Sequence, residues 1–232
     1  VPSTLDNQAF GVLGAIGETG ISLSEVEIVV HGTTTTTNAV LERKFSKVGL
    51  ITTQGFRDIL ELGRRTRPNA YGLKGTFEPL IPRELRIEVE ERMDAAGNVH
   101  RPLDEEGVRQ ACMSLLEEGV ESLVIHFLHA YVNPTHERRA AEVAAEIWPN
   151  KYITMGHAIL SEYREYERGT TAAINGSVQP LLHRYIDRLS DELRDKGYNS
   201  ELLVMQGNGG TISAKIVSDA AVNTVMSGPA SG

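Results

Sequence analysis

The sequence predicts an α/β fold with a parallel or mixed sheet, and three observations support this class. Two short apolar runs, 26–30 and 47–52, have the length and β-branched content of buried strands. A second alternation of strand and helix patterns occupies 104–155. A long amphipathic segment follows it, ahead of a further apolar run. Strands that alternate with helices in this way are typical of α/β domains.

The first third of the chain contains strands, short helices and one irregular connection. Its predicted elements are, in order, a strand at 26–30, a helix at about 38–44, a strand at 47–52 and a helix at 55–62. Three prolines within or near the end of 64–82, together with an arginine-rich stretch, indicate an exposed connection. Loops of this length are often functional, although some only link elements.

The middle third continues with a clearer strand–helix alternation. Its predicted elements are a half-exposed strand at 85–93, a turn at 96–98 and a second short strand, a helix at 104–118, a strand at 122–127, a helix from 133 to about 148, and a strand at 152–155. Gly119 and Pro149 follow the two helices, which is where helices commonly end.

The last third is dominated by a long helical pattern. Residues 162–178 and 182–193 both have helical periodicity, and Pro180 between them predicts a kink or a break. A strand at 202–206, a glycine-rich turn at 207–210 and a strand at 222–226 are predicted to follow.

Composition excludes several functional classes. The net charge is −8, and there is no basic stripe of the kind that binds nucleic acid. A single cysteine excludes an internal disulfide and suits a reducing compartment. The sequence has no apolar run long enough to cross a bilayer and no signal-peptide pattern, so we expect a cytoplasmic protein. Because the chain begins at Val1 and stops in a Gly/Pro/Ser-rich turn, we expect a fragment of a longer protein.

A threonine-rich segment is the first candidate site. His31-Gly32 and five threonines, 33–37, connect a predicted buried strand to a helix. Ligands of α/β sheets collect beyond the carboxyl ends of strands, where threonine hydroxyls can bind an anion or a carbonyl oxygen. Alternatively, the threonines only extend the strand and cap the helix.

Two glycine-rich turns are the second candidate. Each of the segments 207–210 and 227–232 follows an apolar strand pattern, and consecutive backbone N–H groups of such turns can bind an anion. Neither segment matches the phosphate-loop or dinucleotide-binding pattern, and both can equally be ordinary turns.

The remaining polar clusters favour structural roles or leave the role open. The histidines lack carboxylate or thiolate neighbours at the usual ligand spacing, so no metal site is predicted. Arg64, Arg65 and Arg67 could hold a carboxylate or phosphate, or form an exposed basic loop. The charged segment 162–168 is typical of a solvated helix, with an interface or substrate role as the alternative.

Six sequence blocks together resemble the hydantoinase A/oxoprolinase family. They are, in the order that the family has them, HGTTTTTNA, VGLITTQGFRDILELGRR, FLHAYVNPTHERR, EYREYERGTT, MQGNGG and MSGPASG. They are spread along the chain from residue 31 to residue 232, which makes the set far more specific than any one block.

The resemblance implies a fold and an activity. The fold would be part of an actin-like ATPase of the sugar kinase, Hsp70 and actin superfamily, with an inserted smaller α/β lobe. Residues 1–82 would belong to the first actin-like lobe, 83–160 would form the inserted subdomain, and 161–232 would hold the long helix and the start of the next segment. The parent protein would use ATP and Mg²⁺ to phosphorylate a cyclic amide, such as a hydantoin, 5-oxoproline or a lactam, which water then opens.

The family pattern also has two phosphate-binding loops, one upstream and one downstream of the matching blocks, that this sequence lacks. The resemblance therefore implies that the isolated fragment is inactive, since those loops supply the main grip on ATP. A hydantoinase B-type subunit is the implied partner, in an oligomeric assembly.

Carried over residue by residue, the resemblance implies two groups of site residues, without a catalytic base among them. The substrate or nucleotide cleft would contain His31, Thr33, Thr34, Asn38, Arg57, Asp58, Arg64 and Arg65. The nucleotide or hinge loops would contain Asn208, Gly209, Gly210, Ser227 and Gly228.

Three hypotheses remain open on the sequence. The first is the ATP-dependent subunit of a cyclic-amide hydrolase, and the second is the subunit of an ATP-dependent ketone carboxylase of the same family. The third is a non-catalytic piece that docks a partner subunit.

Overall fold

The computed structural model describes residues 8–64, 69, 71–72, 75 and 78–230, with the side chains from residue 11 onward. The strands are β1 (Val29–His31), β2 (Val48–Thr53), β3 (Arg86–Val89), β4 (Arg92–Met93), β5 (Val99–Arg101), β6 (Ser122–His126), β7 (Ile153–Met155), β8 (Leu202–Met205) and β9 (Thr211–Ser213). The α-helices are α1 (Gln8–Glu18), α2 (Thr35–Leu41), α3 (Ile59–Leu62), α4 (Glu105–Glu117), α5 (Thr135–Ala145), α6 (Gly156–Ile159), α7 (Glu165–Asp195) and α8 (Ser227–Ala230). Short 3₁₀ helices lie at Leu23–Glu25, Arg83–Leu85 and Val217–Thr224.

The chain divides into two compact units. The first unit consists of Val1–Lys44 and Val178–Gly232, and the second consists of Phe45–Ser177. The division falls inside α7, so the first turns of that helix belong to the second unit and the rest belong to the first.

The first unit contains a mixed three-stranded sheet in the order β1-β8-β9. β1 runs parallel to β8, and β8 and β9 form an antiparallel hairpin. One face of the α7 part of this unit is apolar because its buried residues recur at helical spacing. These residues, which pack into the two hydrophobic clusters of the unit, are Val178, Leu182, Ile186, Leu189 and Leu193.

The second unit contains a parallel four-stranded sheet in the order β3-β2-β6-β7. Every residue of the central strands β2 and β6 is buried, as expected for parallel strands that are covered on both faces. The buried face of α4, with Val108, Cys112 and Leu115, belongs to the same hydrophobic cluster as these strands. β4 and β5 form a separate antiparallel hairpin.

The fold class is confirmed, since both units are α/β and both contain parallel strand pairs. The compact units are divided after residues 44 and 177, whereas the predicted domain boundaries lie after residues 82 and 160. β2 pairs with β3 on one side and β6 on the other, so the unit 45–177 includes it.

Three local predictions were wrong. Residues 222–226 do not form a strand, because most of this segment lies in the 3₁₀ helix that ends at Thr224. The predicted strand 85–93 is divided into a 3₁₀ helix, β3 and β4. Residues 227–230, predicted as part of a glycine-rich turn, form α8. At Pro180 a kink or a break was predicted, and α7 continues through this residue without a break.

Candidate functional site at the carboxyl edge of the first sheet

Two of the predicted segments leave the first unit's sheet at the same edge. β1 and β8 are parallel, with Val29 opposite Leu202 and His31 opposite Val204. The threonine segment follows β1, and the glycine-rich turn follows β8. Both therefore lie beyond the carboxyl ends of neighbouring strands, which is where open α/β sheets bind ligands.

The threonine segment is tied to the 3₁₀ helix and turn near residue 224. The hydroxyls of Thr36 and Thr224 are 2.9 Å apart, and that of Thr224 also donates to the carbonyl of Ala221. The Oγ1 of Thr37 accepts a hydrogen bond of 2.8 Å from the backbone N–H of Met226. Thr36 and Thr37 are buried, so these two hydroxyls join backbone segments and are not free to contact a ligand.

Ser227 and Gly228, the first residues of α8, pack directly on the start of the threonine segment. The buried hydroxyl of Ser227 donates to the carbonyl oxygen of Thr33 over 2.8 Å. A Cβ on Gly228 would lie 2.6 Å from Cγ2 of Thr34, so only glycine fits without displacing the threonine side chain. The structure thus brings Thr33 and Thr34, predicted for the cleft, together with Ser227 and Gly228, predicted for the nucleotide or hinge loops.

The glycine-rich turn does not form an anion-binding nest. The N–H of Gly207 donates to the carbonyl of Asn223, that of Gly209 to Gln206, and that of Gly210 to the side chain of Asn208. All three glycine N–H groups are thus committed to internal acceptors. Gly209 has a φ of +83°, which explains glycine at that point of the turn.

Polar groups of this edge nevertheless reach solvent. Thr34, Asn38 and Asn208 are exposed, and the amide of Asn38 lies 3.4 Å from the hydroxyl of Thr34. These side chains carry both hydrogen-bond donors and acceptors but no net charge. The arrangement can therefore bind an uncharged polar group through paired hydrogen bonds.

His31 is held by a side chain that the sequence interpretation missed. Its Nε2 lies 2.7 Å from the hydroxyl of Tyr185 on α7, and the two rings are in tilted contact. Burial lowers the pKa of His31 to about 4, so the imidazole is neutral near pH 7. Burial also raises the pKa of Tyr185, against the effect of a hydrogen bond with Thr33. The sequence analysis placed Tyr185 only within the helical pattern 182–193, although a buried tyrosine hydroxyl usually has a polar partner.

The predicted cleft residues Arg57, Asp58 and Arg64 belong to the second unit, and Arg65 lies outside the described residues. Asp58 accepts two hydrogen bonds from Arg83, of 2.9 and 3.1 Å, and these bonds together with the arginine charge lower its pKa. Arg57 donates to the carbonyl of Arg83. These contacts give Arg57 and Asp58 structural partners within the second unit.

A buried arginine completes this network. Arg86 at the start of β3 is fully buried and donates to the carbonyl of Arg57 and to the carboxylates of Asp58 and Glu61. Arg86 needs these partners, because an uncompensated buried charge is strongly destabilising. Arg64, the third predicted cleft residue of this unit, is paired with Glu167 on α7.

The second unit also contains a buried polar cluster that the sequence interpretation did not find. Glu137 on α5 accepts hydrogen bonds from the N–H of Phe127, 2.9 Å, and from the N–H and ring of His157, 2.8 and 2.6 Å. Although burial opposes it, these bonds hold the pKa of Glu137 below its usual value. His126, at the end of β6, lies 3.9 Å from Glu137 and has a pKa lowered by burial and by the nearby Arg168.

This cluster continues into the start of α7. Arg168 is fully buried and donates to the carbonyl of Phe127 and to the carboxylate of Glu165. The other oxygen of Glu165 accepts from the N–H of His129 over 3.0 Å. The charged run at 162–168, interpreted as a solvated helix with an interface or substrate role as the alternative, therefore contains a fully buried charge at Arg168. No spacing rule could indicate this, because the partners Phe127 and His129 come from the segment after β6.

A cavity of about 540 Å³ lies in the first unit, away from the candidate site. It is lined by α7 residues from Asp187 to Arg194 and by segments at 198–202 and 214–215. Leu202 begins β8, so the cavity lies toward the amino edge of the sheet, opposite the threonine and glycine-rich segments. None of the predicted site residues lines it.

The described part of the chain offers neither a metal-binding cluster nor a membrane-spanning helix. Residues 8–64 and 78–230, with the three short described stretches between them, contain no group of three or more His, Cys, Asp or Glu side chains arranged for a metal ion. Among the same residues, no helix is both long enough and apolar enough to cross a membrane.

Comparison with known proteins identifies the family. The profile described as "Hydantoinase/oxoprolinase N-terminal region" matches residues 1–148, and that described as "Hydantoinase/oxoprolinase" matches residues 168–232. The gamma subunit of acetophenone carboxylase from Aromatoleum aromaticum is 32% identical over 100% of the chain and 34% of the relative. Caprolactamase subunit alpha from Pseudomonas jessenii is 31% identical over 95% of the chain and 32% of the relative.

Solved structures agree with these sequence similarities. A nucleotide-free structure of acetone carboxylase superimposes with a TM-score of 0.86 at 28% identity, covering 100% of this chain and 35% of that one. The crystal structure of the ATP-dependent caprolactamase from Pseudomonas jessenii gives a TM-score of 0.85 at 30% identity, covering 96% of this chain and 33% of that one. The chain thus spans about a third of the length of these relatives. On the two profile matches, which together cover most of its residues, the chain belongs to the hydantoinase/oxoprolinase family.

Proposed function

We propose that the chain is part of the ATP-dependent subunit of an enzyme that hydrolyses a cyclic amide, such as a hydantoin, 5-oxoproline or a lactam, through a phosphorylated intermediate. The observation that carries this proposal is the meeting of the threonine segment, the glycine-rich turn and the start of α8 at one sheet edge. The similarity to a caprolactamase named as ATP-dependent supports both the class of substrate and the use of ATP.

The chemistry of the edge suits the ring of such a substrate. The ring amide group of such a substrate is uncharged and offers a carbonyl acceptor and an N–H donor. Thr34, Asn38 and neutral His31 present complementary groups without bringing a charge to the edge. We propose that these three residues bind the substrate and orient its amide group.

The residues at this sheet edge, including the glycine-rich turn, do not fit the triphosphate of ATP. A triphosphate needs cations or several free backbone N–H groups, and the N–H groups of Gly207, Gly209 and Gly210 are already used internally. ATP would supply the phosphoryl group that activates the amide. We propose that its phosphates, with Mg²⁺, are bound by other segments of the complete protein, and we assign no phosphoryl-transfer step to these residues.

Calorimetric titration of ATP·Mg²⁺ tests this division of roles. We expect binding to the complete protein and no binding to the 232-residue chain. Tight binding to the chain alone would contradict the placement of the phosphate site elsewhere. Absence of binding to the complete protein would contradict the proposed function itself.

A carboxylase is the second candidate, because acetophenone carboxylase is as similar in sequence as caprolactamase and an acetone carboxylase structure superimposes equally well. Nucleotide hydrolysis by the complete assembly can be measured with hydantoin, 5-oxoproline and caprolactam, and then with acetone or acetophenone plus bicarbonate. Stimulation by an amide without bicarbonate supports the hydrolase. Stimulation that requires both a ketone and bicarbonate identifies a carboxylase.

A hydantoinase B-type subunit is the proposed partner, in an oligomeric assembly. Both curated relatives described above are themselves named as subunits. Affinity purification of the complete protein, co-expressed with the B-type subunit from the same source, tests the partner and also the docking role proposed for the chain. Loss of the B-type subunit during purification at low salt would contradict both the proposed partner and the docking role.

A further inference from the structure

The hydrogen-bond state of His31 follows from its contact with Tyr185. Nε2 of His31 is engaged with the phenol oxygen at 2.7 Å. Nδ1 has no hydrogen-bond partner among the described residues, and it is not one of the buried unpaired atoms. Nδ1 is therefore the ring nitrogen that His31 can offer to a ligand.

The proton in the bond between His31 and Tyr185 belongs to the tyrosine. A phenol hydroxyl is a stronger acid than the N–H of a neutral imidazole, and an imidazole nitrogen is a stronger base than a phenol oxygen. The favoured arrangement is therefore O–H donating to Nε2. Since a neutral imidazole carries only one N–H, the proton must then be on Nδ1.

The side chain of Thr33 favours this orientation of the phenol. Burial raises the pKa of Tyr185, and the neighbouring Thr33 side chain acts in the opposite direction. The Oγ1 of Thr33 accepts the backbone N–H of Thr35 over 3.2 Å and lies 2.8 Å from the Thr35 hydroxyl. If Thr35 donates to Thr33, then Thr33 can donate to the phenol oxygen, and the phenol proton is left for His31. The buried threonine is also fixed through its carbonyl by Ser227.

We propose that Tyr185 is a positioning residue, which donates to Nε2 of His31 and thereby makes Nδ1–H the hydrogen-bond donor that the imidazole presents to an oxygen atom of the bound substrate. This inference rests on the proposed function, since it takes the carboxyl edge of the first sheet as the substrate site. The ligand atom is an amide carbonyl oxygen or the oxygen that develops negative charge from it. Tyr185 acts through His31 and does not itself contact the substrate.

Nitrogen NMR of ring-labelled histidine in the complete protein tests the tautomer directly. The His31 signals are those that disappear in His31→Gln. We expect Nδ1 to be protonated and Nε2 to be bare in the wild type, with a shift toward protonated Nε2 in Tyr185→Phe. A wild-type proton on Nε2, or an unchanged tautomer in Tyr185→Phe, would overturn the proposal.

Kinetics of the complete protein test the consequence for the substrate. In Tyr185→Phe we expect kcat to fall about tenfold, the factor that corresponds to one hydrogen bond, with little change in KM for the amide. Tyr198→Phe is the matched control, because the Tyr198 hydroxyl bonds to the N–H of Val29 on the same strand as His31. It removes a structural phenol hydrogen bond without touching the imidazole. An equal loss of kcat in both variants would assign Tyr185 a merely structural role.

Replacement of His31 by its two amide isosteres gives a second, independent readout. An asparagine places its N–H near the position of Nδ1, whereas a glutamine places it near Nε2. We expect His31→Asn to keep more activity than His31→Gln, and Tyr185→Phe to have no further effect in the asparagine background. Multiplying losses in that double variant would contradict the proposal. Absence of nucleotide-dependent activity on any amide would refute the proposed function, while the NMR result would still decide the tautomer.

Discussion

Burial of a neutral imidazole couples the protonation of His31 to the stability of the fold. Its pKa is about 4 in the folded chain, against an ordinary value of 6.5. Between these values the unfolded chain binds a proton that the folded chain excludes, so stability falls as the pH is lowered from about 6.5 toward 4. The predicted loss is about 3 kcal/mol in the free energy of unfolding.

The measurement compares the wild type with His31→Gln by urea denaturation at several pH values from about 7 to about 4. Because both proteins share every other titrating group, including buried His126, the difference between their curves isolates His31. The stability advantage of the wild type should shrink as the pH falls. Parallel curves would show that the pKa of His31 is not lowered.

Gly207 provides a second residue-scale prediction. A Cβ at this position would lie 2.4 Å from the carbonyl oxygen of Val225, which is a backbone atom and cannot rotate away. We expect Gly207→Ala to cost about 2 kcal/mol of unfolding free energy. Gly17→Ala on α1 is the matched control, since a Cβ there would meet no atom within 4 Å and no loss is expected. Equal stability of both variants, measured by denaturant unfolding, would contradict the close approach at Gly207.

At the scale of single elements, the start of α4 lies where the sequence predicted it. Asp104 precedes α4, and its carboxylate accepts the backbone N–H of Gly107 over 3.0 Å. We expect Asp104→Ala to lower the free energy of unfolding by about 1 kcal/mol, because a helix N–H loses its acceptor. Asp104→Asn keeps an acceptor at the same atom and should retain most of the stability. A loss as large in the asparagine variant would show that charge, rather than the cap, is responsible.

Elements defined by local periodicity were predicted well, and elements defined by distant partners were not. α4, α5 and β6 begin and end within a few residues of their predicted bounds, since each carries its own apolar pattern and end signals. Residues 222–226 have strand-like composition but find no neighbouring strand among the described residues. Their backbone and side chains bond instead to Gly207 and Thr36, which no local pattern reveals.

In the candidate site, too, the sequence predicted features that depend on local patterns and missed those that depend on distant partners. The rule that ligands bind beyond the carboxyl ends of strands made the threonine and glycine-rich segments two separate candidates. Their meeting at one edge depends on the parallel pairing of β1 and β8, which no local pattern shows. Tyr185 is 154 residues from His31, and its polar contact could not be derived from the spacing of the helix. The internal use of the Gly207 N–H likewise depends on Asn223, an acceptor outside the turn, whereas Gly209 and Gly210 donate to acceptors at Gln206 and Asn208.

At the scale of the whole molecule, strand pairing decides the division into units. The order β3-β2-β6-β7 places β2 in the middle of the second unit's sheet, although the chain reaches it before the long connection 64–82. Sequence order suggested that this connection was a domain boundary. The pairing of β2 outweighs sequence proximity, because both edges of a central parallel strand are hydrogen-bonded to neighbours.

This division predicts which segment of the chain folds alone. Residues 45–177 contain the whole parallel sheet and its hydrophobic cluster, and their two ends are joined where the N–H of Ser46 donates to the carbonyl of Ser177 over 3.1 Å. We expect this segment to unfold cooperatively in urea. The segment 83–160 lacks β2, which leaves β3 and β6 without their shared neighbour and exposes the cluster around Ile51, so we expect no cooperative transition. Circular dichroism with urea denaturation of both purified segments distinguishes the two boundaries. Cooperative folding of 83–160 would favour the boundaries inferred from sequence, and failure of 45–177 to fold would mean that the first unit is needed to complete its core.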